Sequence, residues 1–173
     1  MDSSAAARTL GLSFANPDLL AEALTHRSYL NENKGAKAHN ERLEFLGDAV
    51  LELAATRFLF ETYPDKPEGD LTAYRAALVN TVSLAQMARK LGVNDLLLLS
   101  KGEAKDTGRA REIILANAFE AILGAIYLDQ GYEAAESFIN KHITSSIDDI
   151  VAKGSFMDPK SLFQEKAQEI TGP

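Results

Sequence analysis

The amino-acid sequence predicts an all-α protein. Apolar residues recur at three- and four-residue steps through several long segments, alternating β-branched runs are scarce, and helix-capping residues punctuate the segment ends. A length of 173 residues supports one complete domain and part of another. Asn16-Pro17-Asp18 combines an N-cap, a first-turn proline and an early acid, and opens a helix through Leu19, Leu20, Ala23 and Leu24. A polar stretch from Asn31 to Lys37 interrupts the pattern. From Asn40 to about Glu61 one long helix is expected, with Leu43, Leu46, Val50, Leu53 and Ala54 as its apolar stripe, stopping at Tyr63-Pro64. A second long helix is expected from Leu71 to Leu91, ending at Gly92. Asp95 to Leu99 reads as one or two short turns and Lys101 to Gly108 as an exposed loop. Arg109 to Asp129 is the most apolar helix, and Gln130-Gly131 separates it from a fourth running from Tyr132 to about Val151. Phe58, Phe60, Phe138, Tyr74 and Tyr127 fit core positions. Asp158-Pro159-Lys160-Ser161 opens a short amphipathic helix that looks like the first element of a further domain.

Composition narrows the chemistry. With no Cys, disulfides, thiolate zinc sites and cysteine nucleophiles are excluded, and catalysis falls to oxygen and nitrogen groups. No stretch approaches the ~18 uninterrupted apolar residues that span a bilayer, and the N-terminus lacks a basic start and apolar run. The expectation is a cytoplasmic protein with no membrane attachment. Against 18 Lys and Arg stand 25 Asp and Glu, a net charge of −7, which disfavours a simple phosphate-binding surface. A nucleic-acid partner would require something to offset the repulsion.

That something is suggested by where the acids fall. At 100° per residue Glu41, Glu44 and Asp48 lie within about 60° of one another on one helix face. Like charges so spaced repel by a few tenths of a kcal/mol per exposed pair, and magnesium or manganese, hard cations that take oxygen ligands, would relieve the cost. An ordinary solvated acidic face is the alternative. Gly47, placed inside the cluster at a cost of about 1 kcal/mol of helix propensity, argues for a close approach of something at that point. Asn117, Glu120 and Gly124 repeat the arrangement in an otherwise apolar helix, where Glu120 is the least comfortable acid of the chain. Two such helices face to face would bring Glu44, Asp48, Asn117 and Glu120 together as an oxygen cage, the donor set of a metal-dependent phosphodiesterase. His26, His39 and His142 are scattered, with no metal spacing, and suit capping or surface roles. No serine has the surroundings of a nucleophile. Lys101, Lys105, Arg109 and Arg111, diluted by acids, read as a solvated loop.

The run His39-Asn40-Glu41-Arg42-Leu43-Glu44-Phe45-Leu46-Gly47-Asp48-Ala49-Val50-Leu51 resembles the signature of the ribonuclease III endonuclease domain. Thr25-His26-Arg27-Ser28, Glu68-Gly69-Asp70-Leu71, Ile114 to Ala121 and Gly124 to Asp129 are similar to further blocks of that family, in order. The resemblance implies an endonuclease domain over residues 1–151, and over residues 152–173 a linker with the first element of a truncated double-stranded RNA-binding domain. It further implies a homodimer that cuts double-stranded RNA with Mg2+, or Mn2+ in its place. The ends left would be 5′-phosphate and 3′-hydroxyl with two-nucleotide 3′ overhangs, in processing such as that of ribosomal precursors and messengers. By the same resemblance Glu44, Asp48 and Glu120 are the catalytic metal-binding carboxylates, Glu41 and Glu68 further acids of the valley, and Phe45 a contact to the partner subunit. Asn117 stands where the family pattern commonly has Asp, which lowers the expected metal affinity and leaves a catalytically weakened or silent RNA-binding relative as the alternative.

Overall fold

The computed structural model describes residues 2–36 and 38–154. The helix expected after Asp158, and with it the proposed second domain, lies outside them. The described residues form ten α-helices in the order α1 (Ser3–Leu10), α2 (Pro17–Ala23), α3 (Arg27–Glu32), α4 (Glu41–Thr62), α5 (Glu68–Leu78), α6 (Thr81–Lys90), α7 (Val93–Leu96), α8 (Arg109–Gln130), α9 (Tyr132–His142) and α10 (Ile147–Lys153). A lone backbone bridge joins Thr25 to Leu98, and there is no sheet among the described residues. The all-α expectation holds.

α8 is the axis of the domain. Leu115, Ala118, Phe119, Ala121, Leu123 and Ala125 are wholly inaccessible on it, spread around its circumference rather than along one stripe, as a helix surrounded by others requires. α2, α4, α6 and α9 pack around it. The α4 contact is the closest, because two glycines oppose backbone. A Cβ on Gly47 would overlap the carbonyl of Glu120, and one on Gly124 would overlap the carbonyl of Leu43. Helix axes usually lie 8–10 Å apart, held off by side chains; here neither helix has a side chain at the crossing. The position of Gly47 in the middle of a helix, costly by propensity alone, is thereby explained.

Two of the four long helices expected from the sequence are broken. Instead of one helix from Leu71 to Leu91 there are α5 and α6, separated at Val79-Asn80. Asn80 adopts an extended conformation and caps both neighbours: its Nδ2 donates to the carbonyls of Ala76 and Ala77 at 3.2 and 2.9 Å, and its Oδ1 accepts from the Ser83 amide at 2.9 Å. A short polar side chain thus replaces the helical hydrogen bonds it interrupts. The stretch from Tyr132 to Val151 likewise divides into α9, a single 3₁₀ turn over Thr144–Ser146, and α10. There Thr144 and Ser146 turn their hydroxyls back onto the carbonyls of Asn140 and Ile143. α1 was not expected; Asp2 caps its start and Gly11, at φ 66°, ends it.

Some apolar residues assigned to the core lie outside it. Tyr74 and Phe138 are buried, but Leu53, Phe60 and Tyr127 are exposed. Periodicity identifies an apolar face, and α4 has more apolar circumference than α8 and α9 cover.

The glycine crossing sets an expected outcome. Replacing Gly47 or Gly124 with Ala should gain the ~1 kcal/mol of helix propensity and lose more to overpacking, typically 1–3 kcal/mol and higher against unyielding backbone. Gly69→Ala, with nothing within 4 Å of its added methyl, should not be destabilising. Urea unfolding of the three variants makes the comparison.

Candidate active site

The crossing places the acids. Gly47 rests on the Glu120 carbonyl, so Asp48, next along α4, and Glu120, on α8, face the same space from opposite helices. A depression of about 460 Å³ opens there, lined by Glu41, Glu44, Phe45, Asp48, Asn117 and Glu120. The structure therefore brings together the four oxygen donors singled out in the sequence, together with Glu41 and Phe45. Glu68 is not among them. It stands in the first turn of α5, where its carboxylate accepts from Thr72 Oγ1 at 2.8 Å, and it lines a different cavity.

The electrostatics are those of crowded negative charge. Burial, with the Asp48 and Glu44 charges adding to it, pushes the Glu120 carboxyl up to about 7. Glu44 is also raised, first by burial and then by Glu41, against which a hydrogen bond from Asn117 works in the opposite direction. Of these acids Glu41 has an ion pair, with Arg27 Nη1 3.2 Å from one oxygen, and His39 Nδ1 lies 3.9 Å from the other. Carboxylates, an amide oxygen and partial burial suit a hard divalent cation. As placed, no three Asp, Glu or His side chains among the described residues stand close enough to share one ion. The donor chemistry fits a metal; the charges surround the depression rather than closing upon a point.

Two residues passed over in the sequence shape the surroundings. Arg111, read there as part of a solvated loop, is buried. Its Nε donates to the Asp106 carbonyl at 3.1 Å, and its Nη2 to those of Glu103 and Ala104 at 3.0 and 3.1 Å, so the guanidinium holds the loop before α8 by its backbone. Asp129, at the far end of α8, accepts from the amides of Ala15 and Asn16 at 2.9 and 2.8 Å and fixes the start of α2. Neither is legible from spacing, because each partner is a main-chain group remote in sequence or irregular in structure. Lys101, Lys105 and Arg109 are exposed, as expected.

The family described as Ribonuclease-III-like matches residues 16–147, a span that contains both acid-bearing helices whole. The chain belongs to the ribonuclease-III-like family. Members to which it is similar include proteins named Ribonuclease 3 from Desulforamulus reducens, 49% identical over 161 residues, and Bacillus licheniformis, 48% identical over 163. Each match covers 92% of this chain, but only 65% and 64% of the respective relative, so the chain spans about two thirds of their length. Among solved structures, the nuclease domain of ribonuclease III from Campylobacter jejuni superposes with a TM-score of 0.73 at 41% identity, covering 81% of this chain and 94% of that one. That nuclease domain shows structural flexibility in a region involved in dimer formation. Dicer from Giardia intestinalis matches at a TM-score of 0.62 and 27% identity, over 82% of this chain and 18% of that one. No helix among the described residues of this ribonuclease-III-like chain is long and apolar enough to cross a membrane.

The raised Glu120 carboxyl has a thermodynamic consequence. An acid whose folded pKa exceeds its unfolded value stabilises the fold below the unfolded value and loses that contribution as pH rises through the folded one. Without divalent ions, melting temperature should therefore fall between about pH 4.5 and 7. Glu120→Gln should flatten that decline; calorimetry in chelator across that range measures it.

Proposed function

We propose that this chain is a metal-dependent endoribonuclease that hydrolyses phosphodiester bonds of double-stranded RNA, and that it works as a homodimer. The observation carrying this reading is the shared depression of Glu44, Asp48, Asn117 and Glu120, set by the Gly47–Gly124 crossing. Family membership and the similarity to proteins named Ribonuclease 3 support it. These four residues would hold Mg2+, or Mn2+ in its place. When bound, such an ion supplies Lewis acidity at a phosphoryl oxygen, lowers the pKa of water and offsets the charge of the acids. Glu44, Asp48 and Glu120 would hold it from two helices locked together at the glycine crossing. The Asn117 oxygen would add a ligand without a charge, while the Asn117 amide N–H, as donor toward the Glu44 carboxylate, favours the charged form of that acid. Glu41, balanced by Arg27, borders the site without adding its full charge. Recognition of the duplex rests on A-form shape, phosphates and 2′-hydroxyls rather than base edges.

Dimerisation is supported by a complementary pair of features on α4. The Phe45 ring is 83% exposed, and beyond it a cavity of about 410 Å³ is lined by Thr56, Leu59, Phe60, Glu68, Leu71 and Arg75. An isologous two-fold contact needs a projection and a recess on the same face. In such a contact the Phe45 ring of each copy would be seated in the other's recess, whose lining includes Glu68. Cytoplasmic location and roles in ribosomal-precursor and messenger processing belong to the same proposal.

Long double-stranded RNA incubated with the chain should yield fragments with two-nucleotide 3′ overhangs when Mg2+ is present and none in chelator. Asp48→Asn and Glu120→Gln should each reduce the rate about a thousandfold or more, since the ion is asked for several kcal/mol and each ~1.4 kcal/mol is tenfold. Retention of RNA without cleavage in Mg2+ would instead identify a silent, RNA-binding relative. Asn117→Asp should tighten Mg2+ binding measured by calorimetry. Phe45→Glu should convert dimers to monomers in sedimentation.

A further inference from the structure

α3 has only six residues, and none of them is buried. Helices so short do not stand on their own hydrogen bonds, so this one depends on its cap and on what it grips. The cap is His26. Its Nδ1 accepts from the Ser28 amide at 3.3 Å and lies 2.8 Å from Ser28 Oγ. The amide can only donate, so Nδ1 carries no hydrogen, the ring proton sits on Nε2, and the Ser28 hydroxyl donates to Nδ1. Ser28 Oγ is thereby left to accept from the Ser100 amide at 3.0 Å. One turn on, the Glu32 carboxylate accepts from the Lys101 amide at 3.2 Å. Beside these contacts the His26 amide donates to the Leu98 carbonyl at 3.0 Å and the Leu98 amide to that of Leu24 at 2.9 Å.

We propose that α3 is a proton-operated clasp, in which neutral His26 keeps the helix wound so that Ser28 and Glu32 hold the 98–103 segment, and protonation of His26 releases it. A proton on Nδ1 would confront the Ser28 amide hydrogen and remove its acceptor, and it would reverse the 2.8 Å contact so that the ring donates to Ser28 Oγ; the first turn then loses its cap and the charged ring competes with the Ser100 amide for the same oxygen. Among the described residues the other side-chain tether of α3 is the solvent-exposed Arg27–Glu41 pair, and no residue of the helix is buried to hold it in place. Four charged or titratable groups face the ring: Glu103, from the held segment, and Glu41, from α4, favour its protonation, whereas Arg27 and His39 oppose it. Burial outweighs these and lowers the His26 pKa, so the clasp is closed at neutral pH and opens on acidification. The released segment leads through the Arg111-held loop into α8, so the proton acts on the approach to the helix bearing Asn117 and Glu120. The inference is independent of the nuclease reading.

Amide hydrogen exchange of the whole chain, corrected for intrinsic rates, tests it. In the wild type, protection at Ser100, Lys101 and the amides of 28–33 should fall about tenfold or more from pH 8 to pH 5, while α8 core amides keep theirs. His26→Asn, which retains an N-cap oxygen that does not titrate, should hold protection constant across that range. His26→Ala should leave the segment poorly protected at both pH values. The proposal is overturned if the wild type shows no fall, if His26→Asn shows the same fall, which would trace it to Glu32, Glu41 or Glu103, or if ¹⁵N spectra at pH 8 place the ring proton on Nδ1.

Discussion

The backbone contact between α4 and α8 is the constraint on which the site depends. Two helices can approach so closely only where neither carries a Cβ at the crossing, and Gly47 and Gly124 each meet the other helix's carbonyl. The contact fixes axial register as well as separation, because a slide of one residue would drive a side chain into main chain. Asp48 and Glu120 owe their proximity to that register. A crossing cushioned by Leu or Val would tolerate small adjustments; this one permits almost none, and the placement of charge inherits its rigidity. The cost of bringing acids together is thus met by packing, before any cation contributes.

That arrangement leaves the site poised rather than assembled. Glu120 is raised to about 7 by burial and its acidic neighbours, so near neutrality it is divided between its protonated and charged forms. On the proposed reading, a divalent cation would compete with a proton for this carboxylate. Asn117 moderates the crowding, since an amide at that position spares the depression a further negative charge while still offering oxygen.

Much of this was legible in the sequence because it is written in single helices. The oxygen donors follow steps of three and seven residues, and the interior glycines Gly47 and Gly124 are expensive enough to demand a reason; together they foretold a pair of facing helices. What escaped notice depends on polar side chains acting on main chain. Asn80 breaks a helix that periodicity carries straight through, and Arg111, read as solvated, is buried because its partners are carbonyls of an irregular loop. His26 was rightly given a capping role, but nothing in the sequence shows that Ser28 would reach across to Ser100. The separation of Glu68 from the other acids, and the exposure of Phe60, were illegible for a different reason: helical phase says which residues share a face, not which faces find a neighbour within one chain.

The manner in which Arg111 secures its loop bears on how that loop can change over time. Three carbonyl oxygens, at Glu103, Ala104 and Asp106, receive the guanidinium, and every amino acid supplies a carbonyl. Side chains at 104 and 105 are consequently uncoupled from the loop's course, and substitutions there can alter surface charge while the backbone path persists. Drift in those positions costs little so long as one arginine, outside the stretch that varies, stays in place.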